Sequence, residues 1–158
     1  MVQNAVNRFE GKTNGKTPRK KTLKKIRKMA ILSLNEIKKL NNACSALSKE
    51  DKIRHVGVIN QLGRLVAGGF RDGVKPLLEH EKISMIYMQM QLDFKMRKEL
   101  DSILGEIDYI SSRRKNQLII SIPIKDNLVL ITAEPDADDK KIIKKAEMLF
   151  DDIIISTI

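Results

Sequence analysis

The stretch IRHVGVINQLGRLVAGGF, residues Ile53–Phe70, decides the fold of this chain. Two short runs rich in β-branched and apolar residues lie on either side of a turn whose Gly63 can take the positive φ that a tight hairpin loop needs. The two runs are Ile53–Asn60 and Arg64–Gly69. The stretch therefore predicts a β-hairpin, and its adjacent pair Gly68-Gly69 predicts a kink that takes the chain out of the sheet.

A long amphipathic helix is predicted before the hairpin. Thr17-Pro18 provides a capping residue followed by proline at the first helical position, and apolar residues then recur at steps of three or four. These residues are Leu23, Ile26, Ala30, Leu34, Ile37, Leu40, Cys44 and Leu47. The spacing predicts one continuous helix of about 30 residues, whose half from Leu34 onward reaches the core.

A second helix, from about Glu79 to Leu104, is predicted after the hairpin, and it has two apolar stripes. One stripe consists of Ile83, Ile86, Tyr87, Met90, Phe94 and Leu104, and the other of Met85, Met88, Leu92, Met96 and Ile103. One stripe can face a sheet, whereas the second needs another cover. Either a second copy of the chain or another part of the same chain would supply that cover.

Three strands and a last helix complete the predicted elements. The strands are Glu106–Ser112, Gln117–Ile124 and Leu128–Ala133, and the helix opens at Pro135-Asp136. The second of these strands is apolar on both faces, which is typical of a central strand, and the first alternates less cleanly, as an edge strand does. The fold class is therefore α+β, with the order helix, hairpin, helix, three-strand meander, helix.

This order of elements and the hairpin stretch resemble the roadblock/dynein light chain superfamily. The stretches MRKELDSILGEIDY (Met96–Tyr109) and LITAEPDAD (Leu130–Asp138) also resemble a family of uncharacterised archaeal proteins of the same layout. The resemblance covers residues 35–155 and implies a roadblock/profilin-like α/β sandwich. In that fold a five-stranded antiparallel sheet carries the middle helix on one face and the terminal helices on the other. The basic N-terminal segment and the many methionines of the second helix depart from the family pattern.

The resemblance also implies a mode of assembly and a class of partner. Roadblock proteins pair as homodimers through the middle helix and the adjoining third strand, and they bind or regulate small Ras-like GTPases or motor complexes. Carried over to this chain, the dimer interface would consist of Met85, Met88, Leu92, Met96, Ile103 and Tyr109.

The net charge of +10 is concentrated at the start of the chain. Residues 1–41 hold twelve Lys and Arg against two Glu, while the remaining residues carry 18 cations and 18 anions. We therefore divide the chain into a basic, partly disordered arm with the start of the long helix, residues 1–31, and an α+β domain, residues 32–158. The candidate polyanion-binding residues are Arg19, Lys20, Lys21, Lys24, Lys25, Arg27 and Lys28.

Neither catalysis nor metal binding is predicted. His55 and His80 have no second ligand at a useful spacing, and no phosphate-binding or nucleophile motif is present. Cys44 is the only cysteine, so no internal disulfide can form. Without a secretory signal or a membrane span, the chain is expected to be a cytoplasmic protein that needs no cofactor.

These observations favour a non-enzymatic, homodimeric adaptor or regulator of roadblock type, tethered to an anionic partner by its basic arm. A small GTPase is the candidate protein partner. One alternative is a protein that associates with nucleic acid non-specifically through the arm, with the domain serving only to dimerise it. A second alternative is a domain that senses a small ligand.

Overall fold

The hairpin forms in the computed structural model, which describes residues 32–155. Strand β1 is Ile53–Ile59 and strand β2 is Leu65–Phe70. In the turn between them, Gly63 has a φ of 73°, and the side-chain Oδ1 of Asn60 accepts hydrogen bonds from two backbone N–H groups of the turn, each at 3.0 Å. The turn is therefore held by its own asparagine side chain.

The expected departure of the chain from the sheet at Gly68-Gly69 is wrong. Both glycines have positive φ values, 73° and 145°, yet they remain in β2 and pair with Gly57 and Val56 of β1. The N–H of Gly68 donates to Oδ1 of Asn41 at 2.8 Å. The edge strand therefore accommodates both positive φ values and stays paired with β1.

The sheet has five antiparallel strands in the order β2-β1-β5-β4-β3. Strand β3 is Ile110–Arg113, β4 is Leu118–Ile124 and β5 is Asn127–Ala133. β4 is buried along most of its length and β3 is an edge strand, as predicted.

Strand β3 is shorter than the predicted Glu106–Ser112. The register pairs Ile110 with Ser121, so an extension of β3 would bring Asp108 opposite Pro123. Proline has no N–H to donate to a neighbouring strand. The pairing of β3 with β4 therefore stops before it reaches Pro123.

The first helix, α1, is Leu34–Ser48. Ser33 has an extended backbone and its side chain accepts a hydrogen bond from the N–H of Glu36 at 3.1 Å, so Ser33 caps the helix. The predicted continuous helix is therefore interrupted at Ser33, and its part before residue 32 lies outside the described residues. Leu34 is also 87% exposed, and the buried side of α1 begins only at Leu40.

The middle helix, α2, is His80–Lys98, and a separate short helix, α3, is Asp101–Leu104. The predicted helix ran to Leu104 without a break. Leu100, with a φ of −96° and a ψ of 3°, interrupts it, and the interruption leaves Leu104 exposed instead of in the stripe that faces the sheet. Gly105 follows α3 with a φ of 85° and ends it.

The last helix, α4, is Asp139–Ile155 and begins later than Pro135-Asp136. The guanidinium group of Arg113 donates hydrogen bonds to the carbonyl oxygens of Pro135 and, at 2.9 Å, of Ala137. These two carbonyl groups accept hydrogen bonds from the Arg113 side chain of β3 instead of from the N–H groups of a helix. The carboxylate of Asp138 then accepts from the N–H of Lys141 at 3.2 Å and caps the helix start.

The sheet separates two layers of helices, as the resemblance implies. Helix α1 packs on β1 and β2 and against α4, and α4 packs on β4. Helix α2 covers the opposite face, where Tyr87 and Phe94 join the sheet residues Ile59, Ile119, Leu128 and Leu130 in one apolar cluster. The fold is thus a five-stranded α/β sandwich.

Candidate interaction surface

Two polar contacts fix the rotation of α2 on the sheet. The hydroxyl of Tyr87 lies 2.7 Å from Nε2 of His55, and the side-chain amide of Gln91 donates to the carbonyl oxygen of Ile59 at 3.3 Å. The side chains of Tyr87, His55 and Gln91 are buried, and Tyr87, Gln91 and Phe94 define the inner side of the helix. Because these contacts are directional, they also determine which side of α2 faces outward.

His55 is a structural residue. Its Nδ1 lies 3.1 Å from the carbonyl oxygen of Leu130, which can only accept, so Nδ1 carries the hydrogen and Nε2 accepts from the hydroxyl of Tyr87. Burial lowers the pKa of His55, which keeps the ring neutral. Both ring nitrogens are thereby engaged. Within residues 32–155 no group of three His, Cys, Asp or Glu side chains is placed to hold a metal ion.

The outer side of α2 is an exposed apolar stripe. Met85, Met88, Leu92 and Met96 are each 57–65% exposed, and their spacing of three and four residues places them on one face of the helix. None of the described segments covers them. The structure thus brings four of the six predicted interface residues together on one helix face.

The hairpin turn extends this face. Leu62, at its tip, is 68% exposed, and Nζ of Lys95 donates to the carbonyl oxygen of Gln61 at 3.3 Å. A shallow groove of about 400 Å³ runs between the turn and the helix, lined by Gln61, Leu62, Met85, Met88, Gln89, Gln91, Leu92 and Lys95. We name the stripe and this groove the α2 face. The predicted interface does not include Leu62. An apolar residue at the tip of a predicted turn is the signal that could have identified it.

The other two predicted interface residues lie beyond the end of α2. Ile103 is in α3 and 80% exposed, and Tyr109 immediately precedes β3 and is 44% exposed. Leu100 and Leu104 are exposed in the same part of the chain. The sequence pattern predicts Leu104 in the stripe that faces the sheet, because a helical period that continued past Lys98 would place it there.

Most of the basic side chains of α2 lie at its C-terminal end. Its last turn contains Lys95, Arg97 and Lys98, and the guanidinium group of Arg97 pairs with the carboxylate of Asp93 at 3.1 Å. The predicted polyanion-binding residues Arg19 to Lys28 lie outside the described residues. No helix within the described range is long and apolar enough to cross a membrane.

The chain matches the model of a protein family over residues 32–155, and that family is described as a family of unknown function, DUF6659. This match covers the hairpin, the α2 face and both terminal helices. No curated protein matches the chain.

Several solved structures share the fold. A roadblock/LC7 domain from Streptomyces avermitilis is 10% identical, with a TM-score of 0.58 over 74% of this chain and 96% of that one. The gliding protein MglB from Thermus thermophilus is 13% identical, with a TM-score of 0.64 over 80% and 96%. MglB from Myxococcus xanthus is 13% identical, with a TM-score of 0.63 over 81% and 96%. The described domain therefore has the roadblock/LC7 fold.

Proposed function

The chain belongs to the family of unknown function DUF6659, and we propose that it acts as a non-enzymatic, homodimeric adaptor or regulator of roadblock type in the cytoplasm. The α2 face is the observation that carries this proposal. It presents Met85, Met88, Leu92 and Met96 to solvent beside an ordered hairpin turn. Contiguous apolar exposure of this kind marks a surface that binds another protein.

A second copy of the chain is the occupant that fits the α2 face. From Met85 to Met96 the stripe extends roughly 16 Å along the helix, at 1.5 Å per residue. A two-fold axis near its middle would place each stripe on its counterpart, because an isologous interface uses the same patch on both subunits. Methionine side chains are flexible and adapt to such a contact. Ile103 and Tyr109 would extend the interface toward the edge strand β3.

The partner that we propose for this dimer is a small Ras-like GTPase, as for the roadblock proteins that the sequence resembles. One of the structures with this fold shows MglB in a tetrameric arrangement, which supports assembly of copies as part of how such domains work. The surface of the dimer that is left free would then be the platform for the partner.

The basic arm is proposed to tether this dimer to a polyanion. Its support is the distribution of charge: twelve Lys and Arg lie within residues 1–41, and the rest of the chain is balanced. A concentrated basic segment attracts phosphate-rich partners over a distance of several ångströms. Non-specific association with nucleic acid through the arm is the second candidate function, and the charge distribution alone favours it.

The dimer is tested by replacing both Met88 and Leu92 with Glu. Two charges at the centre of an apolar interface are left unpaired on association and should cost several kcal/mol, so analytical ultracentrifugation at micromolar concentration should show monomers with an unchanged circular dichroism spectrum. Met148→Glu is the matched control, because Met148 is 68% exposed on α4, and this variant should remain a dimer. A wild-type chain that sediments as a monomer would refute the proposal.

The partner is tested separately, with the wild-type chain and the double variant used as bait in native extract at low and high salt. A GTPase held by a folded surface should persist at high salt, whereas a polyanion held by the arm should be released. If no GTPase is enriched at either salt concentration, the adaptor proposal loses its partner even if the dimer is confirmed.

A further inference from the structure

A small cavity lies on the inner side of α2, between the helix and the sheet. Phe70, Leu78, Ile83, Tyr87, Ile119 and Thr132 are among the residues that line it, and its volume is about 40 Å³. One water needs roughly 10–15 Å³ of such space, so the cavity is large enough for a compact group of several atoms. Its wall is mostly apolar, which disfavours filling by water alone.

Thr132 gives this cavity an unusual polar element. The residue is only 8% exposed, and its Oγ1 has no hydrogen-bond partner among the described residues. In the sheet, Thr132 of β5 is paired with His55 of β1 on one side and with Ile119 of β4 on the other. The ring nitrogens of His55 are already used by Leu130 and Tyr87, so they offer nothing to the Thr132 hydroxyl. A buried hydroxyl without a partner costs folding free energy.

A second polar group on the cavity wall keeps unused capacity. The hydroxyl of Tyr87 donates its hydrogen to Nε2 of His55, and its oxygen can still accept a hydrogen bond. The buried part of the wall therefore offers one donor, the Thr132 hydroxyl, and one acceptor, the Tyr87 oxygen, and the half-buried Gln117 is the remaining polar side chain besides His55. A carbonyl group could use the donor, and a hydroxyl group could use both.

The cavity also has an entrance. Phe70, Leu78, Ile83 and Tyr87 line both the cavity and an open groove between the hairpin and the start of α2. Leu77 and Leu78, in the loop that leads to α2, are 57% and 38% exposed at this point. A ligand could therefore enter without disruption of the sheet.

We propose that this cavity binds a small, largely apolar molecule that carries one carbonyl or hydroxyl group, with Thr132 as its hydrogen-bond partner. Apolar walls with a few convergent polar groups are the usual composition of a small-molecule site. None of the residues that line the cavity belongs to the α2 face, although Leu62 and Met88 of that face also line the entrance groove.

The test compares two small probes of nearly equal shape, acetone and isobutene, by titration of the full-length protein with methyl labels on its Ile and Leu side chains. Saturable shifts are expected at Ile83, Ile119 and Leu130, and acetone should bind roughly three- to tenfold more tightly than isobutene, the value of one net hydrogen bond. Thr132→Val keeps the shape without the hydroxyl and should abolish this preference, whereas Thr132→Ser should retain it.

Ser121→Ala is the matched control. Ser121 is another buried hydroxyl on the sheet, but its Oγ contacts Sδ of Met90 at 3.8 Å and the residue does not line the cavity. This variant should leave the preference for the ketone unchanged. An absence of saturable shifts at the cavity methyls, or an equal preference in wild type and Thr132→Val, would overturn the proposal.

Discussion

Gly63 of the hairpin turn lies directly against the backbone of Met88 on α2. A methyl group added to Gly63 would stand 2.8 Å from the Cα of Met88 and 2.9 Å from its nitrogen, closer than a methyl carbon can approach unbonded carbon or nitrogen atoms. The two segments that form the α2 face are thus packed against each other through a residue that has no side chain.

Gly63→Ala should therefore destabilise the domain more than the backbone conformation alone explains. Gly73→Ala is the matched control, since the φ of Gly73 is 78°, close to the 73° of Gly63, but an added methyl group meets none of the described residues within 4 Å. We expect about 1–2 kcal/mol from the positive φ in both variants and a further ~1–3 kcal/mol from overpacking in Gly63→Ala. Urea unfolding measures both. Equal losses of unfolding free energy in the two variants would mean that the turn moves away from Met88 at little cost.

The buried His55 should make stability depend on pH. Burial lowers its pKa in the folded state, so the unfolded chain takes up the proton first as the pH falls below its ordinary value of about 6.5. The contribution of His55 to the free energy of unfolding should therefore be constant above this pH. Below it, the free energy of unfolding should decrease by up to about 1.4 kcal/mol for each unit of pKa shift.

Two variants isolate this effect in denaturant titrations between pH 5 and pH 8. His55→Gln has no titrating group at this position, so its free energy of unfolding should vary less with pH than that of wild type. His80→Gln changes an exposed histidine at the start of α2 and should preserve the wild-type dependence. If His55→Gln showed the full wild-type dependence, carboxylates would be responsible instead.

The thiol of Cys44 should be inert in the folded protein. Burial raises the pKa of Cys44 to about 12, and the residue is 1% exposed beneath Gly68. At pH 8 only about one molecule in 10⁴ would carry the reactive thiolate. Reaction with a disulfide reagent should therefore be slow in buffer and fast in urea, followed by absorbance. Rapid labelling of the native protein would show that α1 opens readily from β2.

Removal of residues 1–31 should separate the arm from the domain. A chain that begins at Leu32 keeps the Ser33 cap and the buried Leu40, Ala43, Cys44 and Leu47, so its melting temperature should change by only a few degrees, or about 1 kcal/mol. It should also remain a dimer. Unfolding or precipitation would show that the removed residues belong to the core.

The same truncation should remove binding to duplex DNA. With about six phosphates neutralised, the affinity of the full chain should fall with salt at a log–log slope of roughly −5, and replacement of Lys20, Lys21, Lys24 and Lys25 by Gln should flatten that slope by nearly four. Fluorescence anisotropy with two labelled duplexes of unrelated sequence measures the affinity at each salt concentration. Strong sequence preference or a salt-independent affinity would contradict the tether.

Local pattern was sufficient for the elements whose periodicity is strong. The hairpin at residues 53–70 was predicted because a glycine turn between β-rich runs has few other structures available, and β4 was recognised as central because its residues 118–122 are apolar on both faces. The exposed stripe Met85, Met88, Leu92 and Met96 also followed from helical spacing, since a helix with two apolar stripes can bury only one of them against a sheet.

Several boundaries depended on contacts that are distant in sequence. Strand β3 stops where its partner would be Pro123, and α4 starts late because Arg113 binds the carbonyls of Pro135 and Ala137. The interruption at Leu100, which exposes Leu104, carries no local signal as strong as proline or glycine. Such features are invisible to a pattern that considers only neighbouring residues.

The sequence by itself determined the α+β class, the order of its elements, the concentration of positive charge within residues 1–41 and the presence of a second apolar stripe on α2, because each of these is a property of composition or of local period. Only the tertiary structure decided the strand order, the packing of Gly63 against Met88, and the cavity in which the Thr132 hydroxyl has no hydrogen-bond partner among residues 32–155. Those features arise where segments far apart in the chain meet, and their geometry is set by the packing of the whole domain.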